Sequence, residues 1–189
     1  MVYIFLADGF EIVEALAPLD VLRRADIGVK LVGVTGEEVV ASCGVTVKTD
    51  CLIEDVTLDD CEMLVLPGGG QGTENLKQSA LVKQLILSAE ERGIMLGAIC
   101  AAPTILAEAG LLRGRRAVCY PSLEPELIKA GAVIPPDETV THDRHIITAR
   151  AAGSSLAFGL KLTAMLRGWA TAEKIRKSMY YTDTNRSLT

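Results

Sequence analysis

Short runs of aliphatic and β-branched residues alternate along this chain with stretches whose apolar positions recur every three or four residues. That alternation predicts a mostly parallel sheet with helices on both faces. Val2 to Ala7 reads as a first strand. A helix from about Glu11 to Ala25 follows, carried by Ile12, Ala15, Leu16, Leu19 and Leu22. Val29 to Val34 reads as a second strand, after which Thr35-Gly36 turns the chain into a smaller β segment from Val39 to Thr49. Glu62 to Leu66 is a third core strand, closed by Pro67-Gly68-Gly69-Gly70. Helical periodicity runs from Leu76 to Glu91, with a break expected near Ser79, and Ile94 to Ile99 is a fourth buried strand ending at Cys100. A small-residue helix then reaches Ala109, Arg116 to Cys119 reads as another strand, and Pro121 to Lys129 as a short helix. A hairpin is expected around Asp143-Arg144, then a strong helix from Ser154 to Arg167 and a weaker one from Thr171 to Met179. The polar tail from Thr182 to Thr189 is expected to be loose. No repeat or linker divides residues 1–189, so a single domain is expected.

Composition narrows the partners. The chain has 189 residues, 49% hydrophobic and 23% charged, the profile of an ordered protein. Only 4% are aromatic, so the core must rest on Val, Ile, Leu and Ala. The net charge of -5, with no basic run beyond Arg113 to Arg116, argues against nucleic acid or an anionic membrane as partner. No export signal is expected, because Met1 to Leu6 lacks a positive flank and Asp8 interrupts it, and no apolar run is long enough to span a bilayer. The five cysteines are odd in number and form no C-x-x-C pair, which disfavours disulfides and a zinc site and suits the reducing cytoplasm.

Chemistry in open parallel sheets gathers at the carboxyl ends of strands. Cys100 falls there, flanked by Ala98, Ala101, Ala102 and Pro103. Small neighbours permit the tight turn of a nucleophile elbow, and Pro103 suits a first helical turn. The following helix N-terminus would favour a thiolate, the nucleophilic form. The competing reading is a buried cysteine acting as a small hydrophobe. Pro67-Gly68-Gly69-Gly70 could turn backbone N–H groups toward a developing oxyanion, or could be a plain turn. It is not a P-loop, since no Gly-Lys-Ser/Thr follows, and its spacing does not fit a dinucleotide fingerprint. Glu14 lies on an otherwise apolar helix face, where burial would raise its pKa and let it donate a hydrogen bond to the sulfur and later act as a base; a solvated glutamate is the alternative. Glu11 reads as a solvated first-turn residue.

Four segments together resemble one known family. Gly9-Phe10-Glu11-Ile12-Val13-Glu14, Leu66-Pro67-Gly68-Gly69, Ala98-Ile99-Cys100-Ala101-Ala102-Pro103-Thr104, and Thr148-Ala149-Arg150 with Gly153-Ser154-Ser155 match the ThiJ/PfpI superfamily in order and across nearly the whole chain. The nearest branch is that of the parkinsonism-associated deglycase and its bacterial relatives. The resemblance implies a flavodoxin-like three-layer sandwich that forms homodimers and needs no metal or organic cofactor. It implies Cys100 as nucleophile, Glu14 as the carboxyl bonded to its sulfur, Gly69 and Ala101 as backbone donors, and Gly68 and Tyr120 as pocket residues. The activities it implies are conversion of small dicarbonyls to hydroxy acids, deglycation of proteins, oxidation sensing and a chaperone role. The chain also departs from its relatives. Ala101 stands where proteases of the superfamily carry histidine, Tyr120 where other relatives do, and Gly44 where some have an anion-binding arginine. His142 and His145 fall in the expected hairpin, outside any catalytic slot. A peptidase or amidohydrolase reading therefore ranks below dicarbonyl conversion and thiol-based sensing, because Cys–His chemistry needs its imidazole.

Overall fold

The structure, a computed structural model, describes residues 1–182, so the tail expected to be loose lies, beyond Thr182, outside the described residues. In chain order the elements are β1 (Val2–Leu6), α1 (Ile12–Arg24), β2 (Val29–Gly33), β3 (Glu38–Val40), β4 (Thr46–Lys48), β5 (Cys51–Leu52) and β6 (Met63–Leu66). There follow α2 (Gly70–Gln78), α3 (Ala80–Arg92), β7 (Met95–Ile99), α4 (Pro103–Glu108), α5 (Glu124–Lys129), β8 (Val140–Asp143), β9 (Ile146–Ala149), α6 (Ser155–Arg167) and α7 (Trp169–Ser178).

Among the described residues the main sheet has seven strands in the order β5-β2-β1-β6-β7-β9-β8, and β3 and β4 form a separate antiparallel hairpin. All neighbours in the main sheet are parallel except β8 and β9. Strands covered on both faces need apolar residues at every position, which is why β1, β6 and β9 are unbroken buried runs. Their side chains alternate between two cores. Tyr3, Phe5, Leu64, Leu66 and Leu96 pack on one side with Leu76, Ile86 and Ile105. Val2, Ile4, Leu6, Val65 and Ile99 pack on the other with Leu19, Leu22, Phe158 and Leu162. Each large apolar side chain buried this way contributes about 1.5–3 kcal/mol.

Helix α1 lies against α6 at close range. A Cβ at Gly159 would sit 3.0 Å from both Pro18 Cα and Val21 Cβ, so the glycine sets the approach. The helical stretch expected from Leu76 does break at Ser79, whose extended backbone ends α2 while its Oγ accepts the Val82 N–H at 3.3 Å and caps α3. Helix α3 stops at Gly93, in the left-handed region at φ 69°.

One expected strand does not form. Residues Arg116 to Cys119 make only an isolated bridge, Arg116 to Val133. Their backbone donors are taken elsewhere: Arg116 N–H by Asp143 Oδ2 at 3.0 Å and Val118 N–H by Thr148 Oγ1 at 2.9 Å. Side-chain acceptors on the hairpin satisfy what a ladder would otherwise have to.

Strand register places the site. Leu66 of β6 stands opposite Ala98 of β7, so Gly68 and Cys100, each two residues further on, emerge side by side at the carboxyl edge. Ile99 pairs with Ala149, which brings the end of β9 to the same edge. Among the described residues no helix is long and apolar enough to cross a membrane.

Candidate active site

Cys100 follows the last residue of β7 with φ at 65°, in the left-handed region where a non-glycine residue costs about 1–2 kcal/mol. Three backbone bonds hold it there. Cys100 N–H donates to Ala149 O at 3.0 Å, Tyr120 N–H donates to Cys100 O at 2.8 Å, and Ala102 N–H donates to Ile99 O at 3.1 Å. Ala101 and Ala102 complete the turn, and Pro103 opens α4 without needing a donor. This is the elbow expected from the sequence, with the cysteine half-buried.

Glu14, in the first turn of α1, is 1% exposed. Its Oε2 accepts the Gly68 N–H at 2.9 Å, and its carboxyl is hydrogen-bonded to the Cys100 thiol. Burial raises the Glu14 pKa to about 7, against the pull of those two bonds, and the nearby Glu11 carboxylate adds to the rise. Burial also pushes the Cys100 thiol up, to about 12, with the Glu14 charge and hydrogen bond contributing. Backbone N–H groups of Gly69 and Ala101 pull the other way.

The expectation that a helix N-terminus makes a thiolate easy to form here is therefore corrected. Burial and the adjacent Glu14 carboxyl hold the thiol above its ordinary range, against the pull of the Gly69 and Ala101 N–H groups. Thiol and carboxyl instead form a coupled pair, in which a charge on one disfavours a charge on the other.

The glycines are required by space. A Cβ at Gly68 would lie 2.5 Å from Glu14 Oε2 and 2.6 Å from Cys100 Cβ. Gly69, with φ at 92°, caps α2, and a Cβ there would lie 2.3 Å from Gly9 O and 2.7 Å from Glu11 N. The loop after β6 thus lies directly on the loop after β1, and Glu11 N–H donates to Gly68 O at 3.0 Å. Cys100, Glu14, Gly68, Gly69 and Ala101 come together as the sequence suggested. Tyr120 joins the group through its backbone N–H, with its residue 48% exposed.

Other candidates fall elsewhere. His142 is exposed, and His145 lies half-buried in the hairpin turn, outside the catalytic slot as expected. Its Nε2 lies 2.6 Å from Glu90 Oε2, a carboxylate also held by Arg115, at the end of β9 away from Cys100. Gly44 lies in the turn between β3 and β4. Cys61 and Cys119 are buried core residues as expected, Cys51 is half-buried and Cys43 exposed. Among the described residues no group of three or more His, Cys, Asp or Glu side chains is arranged to hold a metal ion.

Two contributions escaped the sequence reading. Pro18 stands four residues after Glu14 and has no N–H for its carbonyl, a spacing that was visible in the sequence. Glu11 keeps a part-exposed carboxylate, as expected of a solvated residue at the helix start. Its backbone precedes α1, and its Oε2 accepts the Ser42 Oγ hydrogen bond at 3.2 Å, a contact between distant segments that no local pattern signals.

Comparison with known proteins places the chain in a family. The model of the DJ-1/PfpI family matches residues 1–165. Protein dj-1beta of Drosophila melanogaster is 37% identical over 177 residues, covering 93% of this chain and 94% of its own. Its crystal structure superposes with a TM-score of 0.91 at 36% identity, covering 96% of this chain and 98% of that one. Oxidized Toxoplasma gondii DJ-1 gives a TM-score of 0.90 at 32% identity, covering 96% and 98%. A protein named glutathione-independent glyoxalase DJR-1.2, from Caenorhabditis elegans, is 28% identical over 158 residues, covering 84% of this chain and 83% of its own. With an elbow cysteine against a buried glutamate, and with this match across most of its length, the chain belongs to the DJ-1/PfpI family.

Proposed function

We propose that this protein converts small reactive dicarbonyls to hydroxy acids through Cys100, without an added thiol cofactor. The observation that carries the reading is the buried Glu14 carboxyl hydrogen-bonded to the Cys100 thiol, with the Gly69 and Ala101 N–H groups on the same sulfur. A relative named as a glutathione-independent glyoxalase supports it.

With methylglyoxal, the Cys100 sulfur attacks the aldehyde carbon as the thiol proton passes to the Glu14 carboxylate. A C–S bond forms and the carbonyl oxygen becomes an oxyanion, stabilised by the backbone donors and then protonated to give a hemithioacetal. Glu14, again a carboxylate, removes the proton on that carbon, and the enediol that results is reprotonated on the neighbouring carbon. The product is a thioester of lactate. Water cleaves the C–S bond, releasing lactate and restoring the thiol. A carboxyl with a pKa of about 7 suits this exchange, because both of its forms are populated near neutrality.

Purified protein given methylglyoxal should form lactate, and the Cys100→Ala and Glu14→Leu variants should not. If the wild type and Cys100→Ala are equally inert, the reading fails.

A thiol-based oxidation sensor is the second reading, favoured by the partial accessibility of Cys100 where Cys61 and Cys119 are buried. Two equivalents of peroxide would convert the thiol to a sulfinate, which a protonated Glu14 could hold. Peptide mass spectrometry after mild peroxide should find oxidation concentrated at Cys100. Equal oxidation at Cys43 and Cys51 would remove this reading.

A further inference from the structure

We infer that Lys161 is a second carbonyl-reactive centre, an amine placed to capture small uncharged aldehydes as imines, separate from Cys100 and independent of the dicarbonyl reading. Lys161 lies in α6, where that helix packs over β8 and β9, and only 5% of it is exposed. Every other lysine is exposed except Lys77, which is paired with Glu108 and Glu74. Among the described residues the Lys161 amine makes no hydrogen bond and no ion pair; what it meets is the face of the Trp169 ring, 4.6 Å from the centroid. Nor is the amine sealed in. Among the described residues the one fully buried side-chain polar atom without a partner is Thr73 Oγ1, so the Lys161 Nζ reaches solvent, beside a Trp169 that is 47% exposed.

The neighbouring carboxylates are already committed. Glu138 is ion-paired with Arg116, and Asp143 Oδ2 accepts the Arg116 N–H at 3.0 Å. Arg116 thus takes up the acceptors that Lys161 would need and brings a like charge of its own. Burial lowers the Lys161 pKa, Glu138 opposes that fall and Arg116 adds to it. A lysine that is desolvated, beside another cation and without a counter-ion is the arrangement that frees an amine lone pair to attack a carbonyl carbon. The Trp169 face orients the amine without accepting its proton as a carboxylate would. The patch stands apart from Cys100. His142, on which the Lys161 and Arg116 charges act, is opposite Ile147 of β9, and β9 separates β8 from β7. Neither Lys161 nor Arg116 is among the groups acting on Cys100.

The neutral Lys161 amine attacks the aldehyde carbon, a C–N bond forms, and one proton passes from nitrogen to oxygen to give a carbinolamine. The hydroxyl then leaves with the remaining amine proton as water, so that the C–O bond breaks and a C=N bond forms. No oxidant or cofactor takes part, and water reverses the reaction. Only a small aldehyde reaches an amine so nearly buried. An uncharged one suits the patch, because Arg116, the cation beside Lys161, is already paired and cannot hold a substrate carboxylate.

Propionaldehyde has a single carbonyl and cannot undergo the dicarbonyl reaction, so it tests this site alone. The full chain is incubated with propionaldehyde and cyanoborohydride near neutral pH, and propylated peptides are quantified by mass spectrometry, with the chain in urea as reference. In the folded protein, modification at Lys161 should exceed that at the exposed Lys83 and Lys174 by about tenfold, and in urea the three should be equal. Trp169 is the one tryptophan, so its emission should change as the amine beside it is converted. That change should be lost in Lys161→Arg, which keeps the charge but forms no imine, and retained in Cys100→Ala. Labelling spread evenly over the lysines of the folded chain, or lower at Lys161 than at Lys83 and Lys174, overturns the inference, and so does an emission change that persists in Lys161→Arg. The labelling pattern is read on the wild type, so it decides the matter even where the variant does not fold.

Discussion

Replacing Glu14 with Gln should change the pH dependence of folding stability in one direction and by a defined amount. In the folded chain the Glu14 pKa is about 7, against an ordinary value of 4.5. Between those values the folded protein holds a proton that the unfolded chain has released. The stability linked to that proton is fully present below pH 4.5 and is lost as pH rises through about 7. A shift of this size corresponds to about 3 kcal/mol, and a residue 1% exposed is little screened by solvent. Gln keeps the shape and a hydrogen-bonding group but cannot ionise.

The unfolding free energy of the wild type minus that of Glu14→Gln should therefore fall by about 3 kcal/mol from about pH 4 to about pH 8, equivalent to roughly 6–12 °C in melting temperature. Urea unfolding of both proteins across that range measures it. Glu62 and Glu90, whose pKa values are lowered by their basic partners, add stability as pH rises from acid values, but they are common to both proteins and cancel in the difference. A difference that stays flat, or that rises with pH, would refute the claim that burial dominates at Glu14.

Gly68→Ala should be among the most damaging small substitutions, since its Cβ would lie within 3.0 Å of Glu14 Oε2, Cys100 Cβ and Ile99 O. About 2–5 kcal/mol of lost stability is expected from overpacking and a displaced Gly68–Glu14 bond, read by urea unfolding; a loss under about 0.5 kcal/mol would mean the site is looser than described. Arg150→Ala should cost about 2–4 kcal/mol, because it strips Glu124 of its partner and frees the Glu138 and Pro135 carbonyls. If Arg150→Ala and Glu124→Gln each cost nothing, this cluster does not hold the segment beyond β9 in place.

How legible the molecule was depended on how local each determinant is. The core strands could be read because parallel strands covered on both faces must be apolar throughout, as Val2 to Leu6 and Met63 to Leu66 are. The break at Ser79 could be read because a serine that caps a helix disrupts the one before it. Arg116 to Cys119 misled for the opposite reason. Its composition suits a strand, but whether it pairs depends on Asp143 and Thr148, which reach it from elsewhere in the chain. The two-residue strand β5 is too short to carry a periodic signal.

At the site, Cys100 and the glycines were legible from a strand-end position and small neighbours. The sign of the Cys100 shift was not. A helix N-terminus is visible in sequence, but the burial that opposes it, and the carboxylate packed beside the sulfur, depend on how α1 meets the β6 and β7 edges. The exposed contact between Glu11 and Ser42 was not legible, because it joins segments far apart in the chain.

The central claim is that the Glu14 carboxyl governs the protonation of the Cys100 sulfur, and the pH profile of Cys100 alkylation by iodoacetamide tests it most directly. With Glu14→Gln, the repelling charge is gone while an amide donor remains, so the midpoint of the profile should move clearly below that of the wild type. A midpoint that stays where it was, or moves upward, would contradict the account.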